Sequence, residues 1–222
     1  KIMAFDERTV YGYGREPQYF KWTTPMEHQL YAAPVEPPPA PAEDPAEGTV
    51  VRVEKSKSLD PSNTPLTVAA WVRTEQPDGV VLARGGGVLG YALFLKDGVP
   101  CFAVTADNQR RQAEAADPAP DGWVHLAGVL TADGQVRVYV DGALSGTAAG
   151  AGLIPRDPAD ALQIGVDEGS FVGDYKTPVP FKGAIDEVRI YRGQLTEDSI
   201  RALAEGKQKI DDPASLALYF IF

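Results

Sequence analysis

Two polar stretches of the sequence, 106–111 and 167–180, carry planar polar side chains, and the second also carries aromatic ones. Carboxylate, amide and guanidinium groups can hydrogen-bond hydroxyl groups, and an aromatic ring can stack on the apolar face of a sugar. The side chains that we predict to contact a ligand are Asp107, Asn108, Arg110, Asp174 and Tyr175. The competing interpretation is that both stretches are solvated loops and that Tyr175 packs back on a sheet. The sequence leaves both interpretations open, and if a ligand binds here, a sugar is one class that these side chains would suit.

Side chains that could catalyse a reaction do not form a recognisable arrangement. Glycoside hydrolysis needs two carboxyl groups roughly 5 to 9.5 Å apart across one cleft. Asp186 and Glu187 are adjacent, so in a regular strand they point to opposite faces, and Asp167 and Glu168 lack a third acid. No Gly-x-Ser-x-Gly motif is present, and Gly85–Gly87 lacks the Lys and the helix of a phosphate loop. The sequence therefore predicts a binding module and not an enzyme.

Composition excludes several other classes of protein. The net charge of −10 at pH 7 argues against nucleic acid or an anionic membrane as partner, because phosphate binding needs clustered Lys and Arg. Hydrophobic residues make up 44% of the chain, which is enough for a core. Cys101 is the single cysteine, so an intrachain disulfide is impossible, and its apolar neighbours predict a buried thiol. No stretch approaches the ~20 apolar residues of a transmembrane helix.

The elements that must position the polar stretches have the pattern of short antiparallel strands. Runs of β-branched and aromatic residues alternate with polar ones and stop at Gly, Asp or Pro. The clearest runs are Leu66–Val72, Trp123–Leu130, Gln135–Val140 and Gly183–Tyr191. We expect Trp71 to face inward, Asp97-Gly98 to form a hairpin turn, and a helix to follow Thr196 as its N-cap. The predicted fold is all-β, an antiparallel two-sheet jelly-roll sandwich with one short C-terminal helix.

The order and the residue types of these runs, over Leu66–Leu203, resemble those of the laminin G-like domains of the concanavalin A-like lectin/glucanase superfamily. The resemblance implies an architecture used mostly for binding, whose ligands include sugars, steroids, proteins and lipids. It also implies a structural calcium, held by the Asp of a strand that reads here Ile185-Asp-Glu-Val-Arg-Ile-Tyr191, which makes Asp186 the predicted metal ligand. The alternative is that Asp186 hydrogen-bonds a turn or pairs with an arginine and binds no metal.

Composition also divides the chain into three predicted parts. Residues 1–33 are an N-terminal arm or the end of an upstream domain, and their two short strands and aromatic tail resemble the end of a bacterial quinoprotein-type β-propeller. Residues 34–48 form a Pro/Ala/Glu-rich linker of extended character. Residues 49–222 form the laminin G-like sandwich, in which we expect Leu216–Phe222 to fill a vacant sheet edge. The alternative is that this last run begins another domain.

These features predict a non-catalytic module that recognises a carbohydrate or a protein. The abrupt start of the chain suggests a segment of a larger multi-domain bacterial protein, and we expect an extracellular, periplasmic or cell-surface location. Its expected partners are that ligand and neighbouring domains of the same chain, without nucleic acid and without a transmembrane segment. The alternative is a structural spacer or docking domain with no ligand. A glycoside hydrolase is less favoured, because its paired acids are missing.

Overall fold

The computed structural model describes residues 50–150, 152–176, 179–207, 210 and 212–222, together with the backbone of two strands at residues 2–6 and 9–12. The predicted linker at residues 34–48 and the aromatic tail before it lie outside the described residues.

The described residues form fourteen strands, a 3₁₀ turn at Lys57–Leu59 and one α-helix. In chain order these are β1 (Ile2–Asp6), β2 (Thr9–Gly12), β3 (Val51–Val53), β4 (Leu66–Thr74), β5 (Gly79–Gly85), β6 (Gly90–Lys96), β7 (Val99–Ala106), β8 (Gln109–Glu114), β9 (Val124–Leu130), β10 (Val136–Val140), β11 (Ala143–Ala148), β12 (Leu162–Ile164), β13 (Gly183–Arg192), α1 (Glu197–Ala204) and β14 (Ser215–Phe220).

The strands form two antiparallel sheets that pack face to face. Sheet A has the order β11-β10-β9-β4-β13-β14-β1-β2, and sheet B has the order β3-β12-β5-β6-β7-β8. Six strands of sheet A come from residues 66–220, and β1 and β2 extend it beyond β14. The predicted fold class, a two-sheet jelly-roll sandwich with one short helix, is confirmed.

The main core lies between the sheets and follows from strand alternation. On β4, Leu66, Val68, Ala70 and Val72 are buried in this core, so the residues between them face the other way. Trp71 therefore lies on the outer face of sheet A, and the expectation that it faces inward is wrong. The reason is that β4 is apolar on both faces, since Ala69 packs in the cluster that includes the helix. Such a strand gives no alternation from which to assign its faces.

Helix α1 covers part of the outer face of sheet A. Ile200 and Leu203 pack against Tyr139 and Tyr191 in this second cluster. Thr196 is the N-cap, and its hydroxyl accepts a hydrogen bond from Ser199 N at 3.2 Å. The predicted cap is confirmed.

Strand β14 pairs with β13, with Phe220 opposite Val188 and Leu218 opposite Ile190. The last run therefore pairs within sheet A, as expected of a strand that fills a vacant sheet edge. Strand β1 then pairs with the other edge of β14, Ile2 opposite Phe220.

A β-bulge interrupts β13 at the acidic pair. Asp186 pairs with Trp71 and Arg189 with Ala69, so β13 has one residue more than β4 here, and Glu187 has a φ of +49°. Both acids lie outside the inter-sheet core, and Glu187 pairs with the buried Arg189 at 2.9 Å. The expectation that the two carboxylates point to opposite faces is wrong because the bulge breaks the alternation.

The hairpin turns fix where the polar stretches lie. Asp97 and Gly98 both have positive φ, as the predicted turn requires. Asp107 and Asn108 also have positive φ, of +46° and +64°, and form a two-residue turn between β7 and β8. Arg110 therefore lies on β8 and not in a loop, which corrects the interpretation of 106–111 as one loop.

Candidate functional site

A pocket opens on the outer face of sheet B, where β3, β12 and β5 lie side by side. Gln163 on β12 pairs with Arg52 on β3 and with Ala83 on β5, so the three side chains share one face. Their neighbours along the strands, Leu162 and Ile164, point into the core. The pocket encloses about 170 Å³. We call it the sheet B pocket; its lining residues are Arg52, Ala83, Gly85, Asp160, Ala161, Gln163, Asp167, Glu168 and Gly169.

Small residues leave the space that the pocket occupies. Ala83, Gly85, Ala161 and Gly169 all line it, and none has a side chain longer than one carbon. Larger side chains at these positions of β5 and the adjoining loops would occupy the same volume. The chemistry of the pocket therefore comes from its polar walls.

Glu168 connects the polar groups on one wall of the pocket. Its backbone N–H donates to Gln163 Oε1 at 2.9 Å, and Gln163 Nε2 donates back to Glu168 Oε2 at 3.0 Å. Arg52 forms an ion pair with the same carboxylate. Amide, carboxylate and guanidinium groups thus lie in a row, which is an arrangement suited to hydrogen-bonding several hydroxyl groups.

Asp167 is a buried carboxylate at the back of the pocket. It accepts hydrogen bonds from Gly169 N at 3.0 Å and from the Tyr175 hydroxyl at 2.7 Å. Burial raises the pKa of Asp167, and the nearby carboxylate of Asp160 adds to this effect. Burial also raises the pKa of the Tyr175 hydroxyl.

Apolar side chains lie on the loops beside the pocket. Phe171, two residues beyond Gly169, and Val88, in the Gly85–Gly90 hairpin, are each 49% exposed. Gly87 N donates to Ser170 Oγ at 3.3 Å, which holds the hairpin against the loop that carries Phe171. A side chain at Gly86 would collide with the Ser170 hydroxyl, so glycine permits this close approach.

The ligand-contacting residues that we predict from the sequence lie on β8, on the turn before it and on the 167–176 loop. Asn108 N donates to Val88 O at 3.0 Å, and Asp107 lies 4.0 Å from Arg156, so their turn is beside the exposed hairpin. None of the five predicted residues belongs to the pocket lining. That they contact a ligand remains a prediction.

Three of those five residues hold the 167–176 loop on sheet B. Arg110 Nη1 donates to Gly173 O at 2.7 Å, and the Tyr175 ring meets the edge of Phe94 at 4.7 Å. Asp174 forms an ion pair with Lys96, and this hydrogen bond lowers the pKa of the Asp174 carboxyl. These contacts position the loop that forms the wall of the pocket.

Sequence reasoning missed Arg52, Asp160 and Gln163. Arg52 and Gln163 are single polar residues in short apolar strands, and a polar residue between buried ones does indicate an outward face. Nothing in the sequence shows that these two strands are neighbours, so the cluster could not be assembled.

Asp186, the predicted calcium ligand, uses one carboxylate oxygen to accept backbone hydrogen bonds. Asp186 Oδ1 accepts from Glu187 N at 2.7 Å and from Phe222 N at 3.2 Å. Calcium takes six to eight oxygen ligands. Within the residues that the structure describes, no three acidic, histidine or cysteine side chains are grouped so that they could hold a metal. Calcium at Asp186 therefore remains a prediction that depends on backbone carbonyl ligands.

The two-sheet architecture, its strand order and a polar pocket on one outer face define a lectin-like β-sandwich. The chain belongs to the concanavalin A-like lectin/glucanases superfamily, whose Laminin_G_3 family model matches residues 45–201. No curated protein matches the chain significantly.

Three solved structures show the same fold at low identity. A putative carbohydrate-binding protein from Bacteroides ovatus has a TM-score of 0.57 at 18% identity, over 79% of this chain and 50% of that one. Domain 4 of AbnA, a GH43 extracellular arabinanase from Geobacillus stearothermophilus in complex with arabinotriose, has a TM-score of 0.54 at 22% identity. The match covers 71% of this chain and 82% of that one. The CBM40 of the Ruminococcus gnavus IT-sialidase bound to α2,3-sialyllactose has a TM-score of 0.52 at 16% identity. The match covers 71% of this chain and 93% of that one. This chain spans half of the first of these proteins.

No helix among the described residues has the length and apolar character needed to cross a membrane.

Proposed function

We propose that this chain is a non-catalytic module that binds carbohydrate through the sheet B pocket, within a larger secreted or surface-associated bacterial protein. The observation that carries the proposal is the pocket itself, a space of about 170 Å³ with planar polar groups on its walls and a small-residue floor. The exposed Phe171 on the adjoining loop supplies an aromatic ring for the apolar face of a sugar. The structural likenesses support the proposal only as a precedent for carbohydrate binding on this fold.

The turn at Asp107 and Asn108 extends the proposed binding surface. It is hydrogen-bonded to the hairpin that carries Val88, so a ligand longer than the pocket would reach it. Arg110, Asp174 and Tyr175 act on the ligand indirectly in this proposal, because they hold the 167–176 loop in place.

Binding is favoured over catalysis by the state of the carboxylates in the pocket. Of the three acids in the pocket lining, Asp167 accepts hydrogen bonds on both oxygens and Glu168 is paired with Arg52, so Asp160 has no second unengaged acid beside it in the lining. A general acid or a nucleophile needs an oxygen that can reach the scissile bond. Incubation with each bound oligosaccharide tests this directly, and release of shorter sugars would show a hydrolase.

The first experiment is a glycan-array measurement with the full chain, in the presence of calcium and again with a chelator. Binding to a defined class of polysaccharide supports the module. Loss of that binding on chelation would support the predicted calcium, and binding that survives chelation would remove the metal requirement. Absence of binding in both conditions would favour a structural spacer or docking domain without a ligand.

Single substitutions test whether the sugar binds in the sheet B pocket. Arg52→Ala and Phe171→Ala change two exposed side chains, so both proteins should fold, and we expect each to weaken binding at least about tenfold. Arg201→Ala on helix α1 and Leu144→Ala on β11 of sheet A are matched exposed controls away from the pocket, and both should bind as the unchanged protein does. Undiminished binding by both pocket variants would contradict the proposed site.

A further inference from the structure

The 167–176 loop covers much of the outer face of sheet B beside the pocket. Val172 is fully buried, and it packs together with the partly buried Tyr175 in one apolar cluster. The sheet residues of this cluster lie on β5, β6 and β7 and are Val80, Ala83, Ala92, Phe94, Cys101 and Ala103. The sheet B pocket lies where the loop leaves the face open, over β3, β12 and the end of β5.

Hydrogen bonds anchor the loop on the strands farthest from the pocket. Thr105 Oγ1 on β7 donates to Val172 O at 3.2 Å, and this bond is buried. Arg110 Nη1 on the edge strand β8 donates to Gly173 O at 2.7 Å. Because the loop is fixed from β5 to β8, a glycan chain that enters the pocket cannot continue across the sheet.

The pocket is also closed where the segments before and after β12 meet. Asp160 precedes β12 and Gly169 follows it, and a Cβ atom added to Gly169 would lie 3.9 Å from Asp160 Oδ2. Asp167, in the same wall, is only 2% exposed. A glycan that passed through the pocket would need an exit on this side, and the described residues fill it.

The volume of the pocket matches one sugar ring. An engineered cavity of about 150 Å³ holds one benzene molecule, and pockets for drug-sized ligands measure roughly 300–1,000 Å³. The sheet B pocket encloses about 170 Å³ and therefore takes a single ring. The polar wall of Arg52, Glu168 and Gln163 then hydrogen-bonds the hydroxyl groups of that one sugar residue.

We propose that the sheet B pocket binds the terminal residue of a glycan chain and excludes residues within the chain. This inference rests on the proposed carbohydrate-binding function and names the part of the glycan that is recognised. A terminal residue carries a free hydroxyl group where an internal residue carries its next linkage, so only the terminal one fits a pocket with a single opening. The rest of the glycan then lies outside the pocket, beside the exposed Phe171.

The test counts binding sites on uncharged polysaccharides of different chain length. Pullulan, xylan, galactan and mixed-linkage β-glucan, with any polysaccharide that the glycan array identifies, are each prepared as long chains and as chains shortened about tenfold by partial acid hydrolysis. Calorimetric titration of the full protein gives the number of protein molecules bound per gram. We expect this number to rise about tenfold for the shortened chains, in proportion to the number of chain ends.

A matched pair of variants tests whether the chain end enters this pocket. Ala161 lines the pocket, so Ala161→Leu should fill part of its volume and weaken binding of the shortened chains at least about tenfold. Ala143→Leu makes the same change at an exposed position of β11 and should leave binding unchanged. Thermal melting of both variants shows that they fold, and Arg52→Ala provides a second change in the pocket at an exposed side chain.

The outcomes separate this inference from the proposed function. Equal numbers of sites per gram on long and shortened chains, with loss of binding in Arg52→Ala, would overturn the terminal-residue inference and leave a module that binds within a glycan chain. Absence of binding to these polysaccharides and to every glycan on the array would overturn both. More sites on shortened chains, with undiminished binding in Ala161→Leu and Arg52→Ala, would place the chain end elsewhere on the protein and would also overturn this inference.

Discussion

His125 lies on β9 with a fully buried imidazole on the outer face of sheet A. Its ring meets the edge of Trp71 at 5.4 Å, and its Nδ1 has no hydrogen-bond partner among the residues that the structure describes. Burial lowers the pKa of His125 to about 3, and the nearby Arg189 guanidinium contributes. The imidazole is therefore neutral in the folded protein at ordinary pH.

This histidine predicts a component of acid sensitivity. In the unfolded chain a histidine takes up its proton near pH 6.5, whereas in the folded protein it does so only near pH 3. Stability from this group is therefore complete above pH 6.5 and is lost as the pH falls from 6.5 towards 3, at about 1.4 kcal/mol per pH unit. Between pH 7 and pH 5 the unchanged protein should lose about 2 kcal/mol more than His125→Gln. Urea unfolding at the two pH values measures this, and equal losses would contradict the buried neutral histidine.

Among the elements, helix α1 is short enough to depend on its cap. Thr196 accepts from Ser199 N, and Asp212 accepts from both Thr196 N at 3.0 Å and Ser199 Oγ at 2.7 Å. The bonds from Thr196 N and Ser199 N satisfy N–H groups that have no partner inside the helix, and the bond from the Ser199 hydroxyl holds Asp212 beside the cap.

Loss of the cap should be measurable in chemical unfolding. Thr196→Ala should lower the free energy of unfolding by about 1 kcal/mol, because the N–H of Ser199 loses its acceptor. Thr196→Ser keeps the hydroxyl and is the matched control, expected to lie near the unchanged protein. If the alanine and serine variants unfold alike, the cap does not contribute.

Strand β14 supplies both hydrogen bonds and buried side chains to sheet A. Leu218 is fully buried and Phe220 is nearly so, and both belong to the main core. Deleting residues 214–222 should prevent folding or lower the melting temperature by more than about 10 °C, since each such side chain contributes about 1.5–3 kcal/mol. The milder variant Leu218→Ala should lower the free energy of unfolding by about 2–5 kcal/mol. The exposed control Leu144→Ala should leave it nearly unchanged. Thermal melting of the three variants is the measurement, and an unchanged melting temperature in the deletion would contradict the observed role of β14.

Some elements of the fold can be predicted from the sequence, and others depend on tertiary contacts. Strands β10 and β13 are predictable from the sequence, because their residues alternate and turn residues lie at their ends. Strand β8, Gln-Arg-Arg-Gln-Ala-Glu, has almost no apolar residues, because it is an edge strand whose outer positions are exposed. The bulge at Glu187 and the outward position of Trp71 depend on what packs over each face, and the polar wall of the pocket depends on the pairing of β12 with β3. Strand pairing and face coverage are tertiary properties that local patterns do not contain.

For the whole molecule, the free thiol of Cys101 reports on cooperative unfolding. It lies on β7, buried by the cluster that includes Phe94 and Val172 on the outer face of sheet B. Burial raises the pKa of this thiol to about 12, so the reactive thiolate is scarce in the folded protein.

The thiol should react with an aromatic disulfide reagent only when the sandwich opens. We expect the reaction at pH 8 to be at least about a hundredfold slower in buffer than in denaturant, with a midpoint in urea that coincides with the loss of tryptophan fluorescence. Fast reaction in buffer would show that the loop over sheet B opens independently of the core.

The strand order also governs how the molecule is made. Strand β4 pairs with β13 along its whole length, Leu66 opposite Arg192, and β3 pairs with β12, Val51 opposite Ile164. On the ribosome, β4 must wait on the order of ten seconds for that partner at typical rates of synthesis. During this time its apolar faces are open to other chains, and closure of such long loops makes folding slow. Production of this protein should therefore depend on chaperones that shield β4 until β13 emerges.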